Sequence, residues 1–101
     1  MAGTSSSLDK KSCDLLKSMI GEEGWTLVDV RTAAEYYHGH LPKAKHWPLE
    51  DIARLDSNGK YLLYCRSGIR SETAKNFLRM KDIPSINIGS FDELKQCLGC
   101  E

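Results

Sequence analysis

The stretch Lys60–Arg70, KYLLYCRSGIR, decides the fold. After one lysine it gives a continuous apolar run, Tyr61–Tyr64, of the kind found in parallel strands that are buried on both faces. Cys65 follows directly, then a short segment with Arg, Ser and Gly, and then apolar residues at helical spacing as far as Met80. The stretch therefore predicts a strand, a tight loop and a helix, with a cysteine where the strand ends.

Strands and helices alternate on both sides of this stretch. The apolar spacing predicts a helix over Leu8–Ile20, and a β-branched, apolar run predicts a strand over Trp25–Val30. Thr32 and Glu35 have the spacing of a capping box, which begins a short helix through Tyr37. Four more elements are predicted in order: a short strand at Ala44–Trp47, a short helix after Pro48, a strand at Pro84–Ile88 and a helix at Phe91–Leu98. This alternation predicts a three-layer α/β domain with a mainly parallel central sheet of four to five strands and helices on both faces.

Length and composition limit the function. The 101 residues suit one domain, and we expect it to span residues 8–101 after a flexible arm at residues 1–7. The 14 basic residues balance the 14 acidic ones, which disfavours nucleic-acid binding through bulk charge. No apolar run is long enough for a membrane span, and no secretory signal is evident, so we expect a cytoplasmic protein with four reduced cysteines.

Several physical effects act on Cys65. The first turn of the following helix leaves N–H groups without partners, and its dipole favours a negative charge. Arg66 and Arg70 add positive charge, and Gly68 lets the backbone curl so that successive N–H groups point inward. Each effect favours the thiolate and lowers the pKa of Cys65. A nucleophile beside an anion cradle indicates acyl, phosphoryl or sulfur transfer.

Four segments also match a known family in order and spacing. They are Leu27–Arg31, Glu35-Tyr36, Gly39–Pro42 with Ala44, and Tyr64–Ser71 with Ala74. With these residues the sequence resembles a single-domain rhodanese-like protein of the thiosulfate sulfurtransferase family, from about Leu8 to about Leu98. It departs from the family at Lys43, where a small residue is common, and at Gly89-Ser90 and Leu94, where a Gly-Gly pair followed by Trp is common.

The resemblance implies a sulfurtransferase that works without a cofactor or metal. Cys65 would take a sulfane sulfur from thiosulfate or a similar small anionic donor and become a persulfide. It would then pass the sulfur to cyanide in an assay, or to a thiol or protein in the cell, with no nucleic-acid or membrane partner. The persulfide and the donor would be held by the loop backbone, and the two loop arginines would supply positive charge. The implied binding residues are Arg66, Ser67, Gly68, Ile69 and Arg70.

Two other functions remain open at this point. One is a sulfur-relay or regulatory binding module in which Cys65 carries sulfur with little turnover. The other is a small phosphatase or an arsenate-type reductase. Phosphatases that resemble this family have one more residue between cysteine and arginine, which would place their arginine at Ser71. The shorter loop, with four residues between Cys65 and Arg70, therefore favours sulfur over phosphate.

Other chemistry-bearing residues have weaker signals. Asp29 and Arg31 end a strand near the site. In one interpretation they support the site, with Asp29 hydrogen-bonded to groups of the loop and Arg31 paired with an acid such as Glu35. In the other they form an ordinary ion pair at the end of a strand. The spacing of His38, His40 and His46 suits no zinc site, and we expect His40 to stabilise a turn.

The remaining cysteines do not join this site in the interpretation that we favour. Cys97 and Cys100 form a Cys-x-x-Cys motif, which is either a redox pair serving Cys65 or two thiols of the tail. The motif closes a helix instead of opening one, so the helix dipole does not activate it, and we expect tail thiols. Cys13 is expected to pack on the first helix.

Overall fold

The computed structural model describes residues 9–101, so the expected arm at residues 1–7 and Leu8 lie outside it. Four strands and four α-helices alternate within this range, together with one short 3₁₀ helix. The strands are β1 (Thr26–Asp29), β2 (Lys45–His46), β3 (Tyr61–Cys65) and β4 (Ser85–Ser90). The helices are α1 (Lys10–Gly21), α2 (Ala33–Tyr37), α3 (Ile69–Met80) and α4 (Phe91–Leu98), and the 3₁₀ helix is Leu49–Arg54.

The four strands form one parallel sheet in the order β2-β1-β3-β4. All five residues of β3 are buried, as the apolar run predicts for a strand between two others. The carboxyl ends of β1 and β3 lie side by side, since Asp29 is in register with Tyr64. Ligands bind at this edge in parallel α/β sheets, so the topology places the site beyond Cys65.

Each face of the sheet carries its own apolar cluster, which confirms the predicted three layers. On one face, α3 and the 3₁₀ helix pack against Val28, Leu63 and their neighbours. On the other face, α1 and α4 pack against Leu27 and Leu62. Leu94, at the position where the family often has Trp, is fully buried in this second cluster. Among residues 9–101, no helix combines the length and apolarity that a membrane crossing requires.

The last strand carries a β-bulge beside the end of β3. Leu63 is in register with Asn87 and Tyr64 with Gly89, so Ile88 has no partner on β3. Gly89 takes a left-handed φ of 111°, which favours glycine at this bend. The strand continues to Ser90, two residues beyond the predicted end at Ile88, because the ladder resumes after the bulge.

Two connections differ in detail from the predictions. The strand expected at Ala44–Trp47 is reduced to Lys45–His46, and the short helix after Pro48 is a 3₁₀ helix. Lys43 has a φ of 68°, a left-handed conformation that is unfavourable for a residue with a Cβ. Lys43, which stands where the family commonly has a small residue, is therefore held in a strained backbone conformation in the turn before β2.

The expectation of four reduced thiols is wrong for two cysteines. Cys13 of α1 and Cys97 of α4 form a disulfide, with their Cα atoms 5.7 Å apart. The two helices pack side by side on one face of the sheet, which brings together cysteines that are 84 residues apart in the sequence. Cys97 is therefore not a tail thiol, whereas Cys100 is an exposed free thiol and Cys65 is a buried one. The cytoplasmic expectation loses the part of its support that came from reduced cysteines.

Candidate active site

Cys65 is the last residue of β3, and its side chain is fully buried beneath the loop that follows. The chain turns at Gly68, which has a left-handed φ of 95° and precedes the first residue of α3. This turn aims backbone donors back at the sulfur. The Gly68 N–H donates to Sγ at 3.0 Å, and the Ser71 N–H donates to it at 3.4 Å. The sulfur thus lies at the N-terminus of α3, where a negative charge is favoured.

Two opposing effects set the pKa of Cys65. Burial has the largest single effect and raises the pKa of the thiol. The thiolate form can accept hydrogen bonds from the Ser71 hydroxyl and N–H and from the N–H groups of Ser67 and Gly68; these bonds lower the pKa, and together they outweigh burial. The net pKa of Cys65 lies below the ordinary value of 9.0, which favours a nucleophilic thiolate.

The two loop arginines have different surroundings. Arg70 donates from Nη1 and Nη2 to the two carboxylate oxygens of Glu35, at 2.8 and 3.0 Å. These two bonds have the largest effect on the Glu35 carboxyl and hold its pKa at about 2. Arg66 is exposed, and no carboxylate among residues 9–101 pairs with it. It lines an open cavity of about 420 Å³ together with Glu35 and Phe91. Arg66 is thus the loop cation that faces this cavity without an acidic partner.

Asp29 and Arg31 form a buried pair at the end of β1. The Arg31 Nη2 donates to Asp29 Oδ2 at 2.7 Å and to the Gly39 carbonyl oxygen at 2.7 Å. The Tyr64 hydroxyl donates to the same Oδ2 at 2.7 Å and accepts the Leu41 N–H at 3.1 Å. This network ties the ends of β1 and β3 to the turn at residues 39–41.

The geometry corrects two expectations about this pair. Arg31 binds Asp29, as in the alternative interpretation of an ion pair at the strand end, and Glu35 binds Arg70. The carboxylate of Asp29 bonds Arg31 and Tyr64 and makes none of the expected bonds to the Cys65 loop. The bonds of this pair therefore join the strand ends to the turn at residues 39–41 and do not reach the Cys65 loop.

The histidines take structural positions. His40 stacks on Tyr36 with the ring centroids 3.9 Å apart, and its Nδ1 lies 3.1 Å from the Tyr36 carbonyl oxygen. His38 contacts the Ala34 carbonyl oxygen, and His46 contacts the Arg31 carbonyl oxygen. In the described part of the chain, no three His, Cys, Asp or Glu side chains are grouped as metal ligands would be.

Two residues of the site were missed by reasoning from the sequence. Ser71 ends one of the family-matching segments and marks the position of a phosphatase arginine, but it was not among the predicted site residues, yet its hydroxyl lies 3.5 Å from the Cys65 Sγ. Asn87, on the bulge of β4, accepts a hydrogen bond from that hydroxyl at 2.7 Å. A hydroxyl one helical turn after Gly68 was the available signal for Ser71, whereas Asn87 comes near it through the pairing of β4 with β3, which the sequence does not reveal.

Comparisons with known proteins agree with this fold. The sequence pattern of the family described as "Rhodanese-like domain" matches residues 12–97. YtwF of Bacillus subtilis, which carries a sulfurtransferase name, is 31% identical over 78 residues, and the match covers 73% of this chain and 76% of that protein. A tRNA sulfurtransferase of Thermoplasma acidophilum is 29% identical over 84 residues, which are 82% of this chain and 17% of that protein. The chain therefore spans about a sixth of that second relative.

Solved structures show the same fold. A rhodanese-like domain protein from Staphylococcus aureus superposes with a TM-score of 0.68 at 27% identity, covering 81% of this chain and 86% of that chain. The parallel sheet with helices on both faces is thus shared along most of both molecules. From the match over residues 12–97, this chain belongs to the rhodanese-like domain family, whose relatives include proteins named as sulfurtransferases.

Proposed function

We propose that this chain is a sulfurtransferase in which Cys65 carries a sulfane sulfur as a persulfide. The donor is thiosulfate or a similar small anion, and the acceptor is a thiol or a protein, with cyanide as a substitute in the assay. Membership of the rhodanese-like family and the sulfurtransferase names of two relatives support sulfur transfer as the reaction class. The donor, the acceptor and the persulfide are the part that we propose.

One observation carries the proposal: the Cys65 sulfur is buried and faces N–H donors at the start of a helix. Gly68 and Ser71 direct their N–H groups at Sγ, at 3.0 and 3.4 Å. Such donors stabilise a negative charge on sulfur without a general base. A persulfide is also an anion, so the same N–H groups serve the intermediate.

The reaction balances without any group beyond the substrates. The Cys65 thiolate attacks the outer sulfur of thiosulfate, a new S–S bond forms at Sγ, and the bond to the central sulfur breaks. Sulfite leaves with the electron pair of that bond. The acceptor thiolate then attacks the outer sulfur of the persulfide, and Cys65 departs as a thiolate. The covalent intermediate predicts double-displacement kinetics.

Arg66 is the residue that we expect to hold the charged end of the donor. It is exposed and lines the cavity of about 420 Å³, whereas the guanidinium of Arg70 is neutralised by Glu35. A charge-assisted bond from a free guanidinium to a sulfonate oxygen would orient the outer sulfur toward Sγ. Arg70 instead holds α2 against the loop.

A sulfur-relay module is the second candidate, and a different observation favours it. Ile69, the first residue of α3, is 74% exposed although it is apolar. An exposed apolar side chain next to the nucleophile suits contact with a protein donor or acceptor. A relay module would exchange sulfur rapidly with a protein persulfide and slowly with thiosulfate and small thiols. Comparing kcat/KM for the two kinds of donor separates it from an enzyme that uses small molecules.

A phosphatase receives less support from the geometry. Four residues separate Cys65 from Arg70, and that arginine is bound to Glu35 on both of its terminal nitrogens. A phosphate group would need a wider ring of donors and a free guanidinium. Hydrolysis of an aryl phosphate that is lost in Cys65→Ser would support this alternative.

Intact mass spectrometry after incubation with thiosulfate tests the proposal directly. Wild type should gain the mass of one sulfur atom and lose it on addition of cyanide. Cys65→Ser should show no gain while keeping its circular dichroism spectrum, and Cys100→Ser, at the exposed free thiol, serves as the matched control that keeps the gain. A gain that persists in Cys65→Ser would contradict the mechanism.

A further inference from the structure

Asn87 of β4 makes four polar contacts around the Cys65 loop. Its Nδ2 donates to the Gly68 carbonyl oxygen at 3.0 Å and to Glu72 Oε1 at 3.0 Å. Its Oδ1 accepts the Gly89 N–H at 3.1 Å and the Ser71 hydroxyl at 2.7 Å. Asn87 is in register with Leu63 just before the β-bulge, and its side chain lies on the α3 side of the sheet, beside the active-site loop.

These contacts fix the direction of the Asn87 amide. Gly68 offers a carbonyl oxygen and Glu72 a carboxylate oxygen, and both can only accept hydrogen bonds. A flipped amide would turn Oδ1 toward two acceptors and Nδ2 toward the Gly89 N–H. The oxygen of Asn87 therefore faces the Ser71 hydroxyl as an acceptor.

The Ser71 hydroxyl has one proton and three acceptors within reach. Asn87 Oδ1 lies at 2.7 Å, the Gly68 carbonyl oxygen at 3.2 Å and the Cys65 Sγ at 3.5 Å. The Gly68 oxygen already accepts the N–H of Glu72 at 3.1 Å and the Asn87 amide. The shortest contact takes the proton, so the hydroxyl presents a lone pair to the sulfur. A lone pair of the Ser71 hydroxyl can accept a hydrogen bond from the S–H of a Cys65 thiol. A Cys65 thiolate is stabilised only if the hydroxyl donates its proton to the sulfur.

We propose that Asn87 is a positioning residue for Cys65, because it holds the Ser71 hydroxyl proton away from the sulfur in the resting protein. The hydroxyl must leave Asn87 before it can donate to a thiolate. Asn87 thus reduces the help that Ser71 gives to the thiolate. The inference deepens the proposed function, since it concerns the readiness of the same nucleophile.

The charged groups around this cluster are mostly paired. Arg66 is the exposed cation of the loop, and neutral replacements at Asn87 and Ser71 change none of these charges. The facing charges are Arg66, Arg70 with Glu35, Glu72 with Lys75, and Glu93, whose Oε1 lies near Gly89. Their direct effects on Cys65 are the same in every variant of the cycle below, apart from the bond that Glu72 loses with Asn87.

A double-mutant cycle tests the proposal through the alkylation rate of Cys65 by iodoacetamide at a series of pH values. All proteins carry Cys100→Ser, and mass spectrometry locates the label. Ser71→Ala should slow alkylation below the titration midpoint only slightly when Asn87 is present. In the Asn87→Ala background, Ser71→Ala should reduce the alkylation rate by a factor about five times larger than it does when Asn87 is present, which is the size expected from one hydrogen bond. Equal effects of Ser71→Ala in the two backgrounds would overturn the proposal.

Two further variants complete the test. Asn87→Asp keeps an acceptor for the Ser71 hydroxyl, so Ser71→Ala should again have little effect in that background, and this comparison remains informative if Asn87→Ala fails to fold. A large effect there would contradict the proposal. Asn58→Ala, in an exposed turn away from the site, is the matched control and should leave the effect of Ser71→Ala unchanged. Alkylation does not depend on sulfur transfer, so failure of this proposal is distinguishable from failure of the thiosulfate assay.

Discussion

Replacing Glu35 by Gln removes one charge and one of the two hydrogen bonds to Arg70, because the amide nitrogen cannot accept from Nη2. Gln can keep the capping-box bond to the Thr32 N–H, so the start of α2 is preserved. The pKa of Glu35 falls from 4.5 to about 2 on folding, mainly through its bonds to Arg70, and this fall corresponds to at most about 3 kcal/mol of folding free energy. The two side chains are 25% and 33% exposed, so solvent screening reduces the expected loss to about 1–1.5 kcal/mol at pH 7.

The loss should depend on pH in one direction. Because the pKa of Glu35 is lowered by folding, its contribution is complete above about pH 4.5 and disappears as the pH falls toward 2. Urea unfolding at pH 7, 5, 4 and 3 should therefore show wild type and Glu35→Gln converging, with more than half of the difference gone by about pH 3. Glu50→Gln, at an exposed carboxylate of the 3₁₀ helix, is the matched control and should cost little at any pH. A difference that stays constant from pH 7 to 3 would refute the assignment of the effect to the ion pair.

Four other substitutions test separate parts of the structure. Arg66→Ala should raise KM for thiosulfate about tenfold through loss of a charge-assisted contact, while Arg70→Ala should change KM less and lower stability more; the reverse order in steady-state kinetics would exchange their roles. Lys43→Gly should stabilise the protein by about 0.5–1 kcal/mol by relieving the left-handed backbone, and a lower midpoint in urea would argue against strain there. Tyr64→Phe leaves the buried Asp29 without one donor and should destabilise by about 1–3 kcal/mol; an unchanged melting temperature would contradict the network.

The fold was largely predictable because its signals are local. The apolar run before Cys65 and the helical spacing after it reproduce β3 and α3, and the last helix has the predicted bounds Phe91–Leu98. The capping box at Thr32 and Glu35 is present with both of its hydrogen bonds. Such features depend on neighbours within one turn or one strand, which the sequence displays directly.

The site was less predictable because its partners are distant in sequence. Glu35 and Arg70 are 35 residues apart, and Asn87 reaches Ser71, 16 residues away, only because β4 pairs with β3. A search for charges near Cys65 found the arginines but could not show that one of them is neutralised. Local patterns therefore located the nucleophile, whereas the three-dimensional arrangement decided which neighbours act on it.

The Cys13–Cys97 bond makes most of the domain a closed covalent ring. A cut in any connection between these residues leaves two pieces that stay joined until the bond is reduced. The disulfide joins residues 84 positions apart and so reduces the conformational entropy of the unfolded chain. In the chain-entropy model this reduction stabilises the folded protein by about 4.5 kcal/mol. The proposed acceptors of sulfur are thiols, and thiols also reduce disulfides. During turnover, a high concentration of a small thiol acceptor would then reduce the Cys13–Cys97 bond and open the ring. The stability of the protein during the reaction would therefore depend on the concentration of its own acceptor substrate.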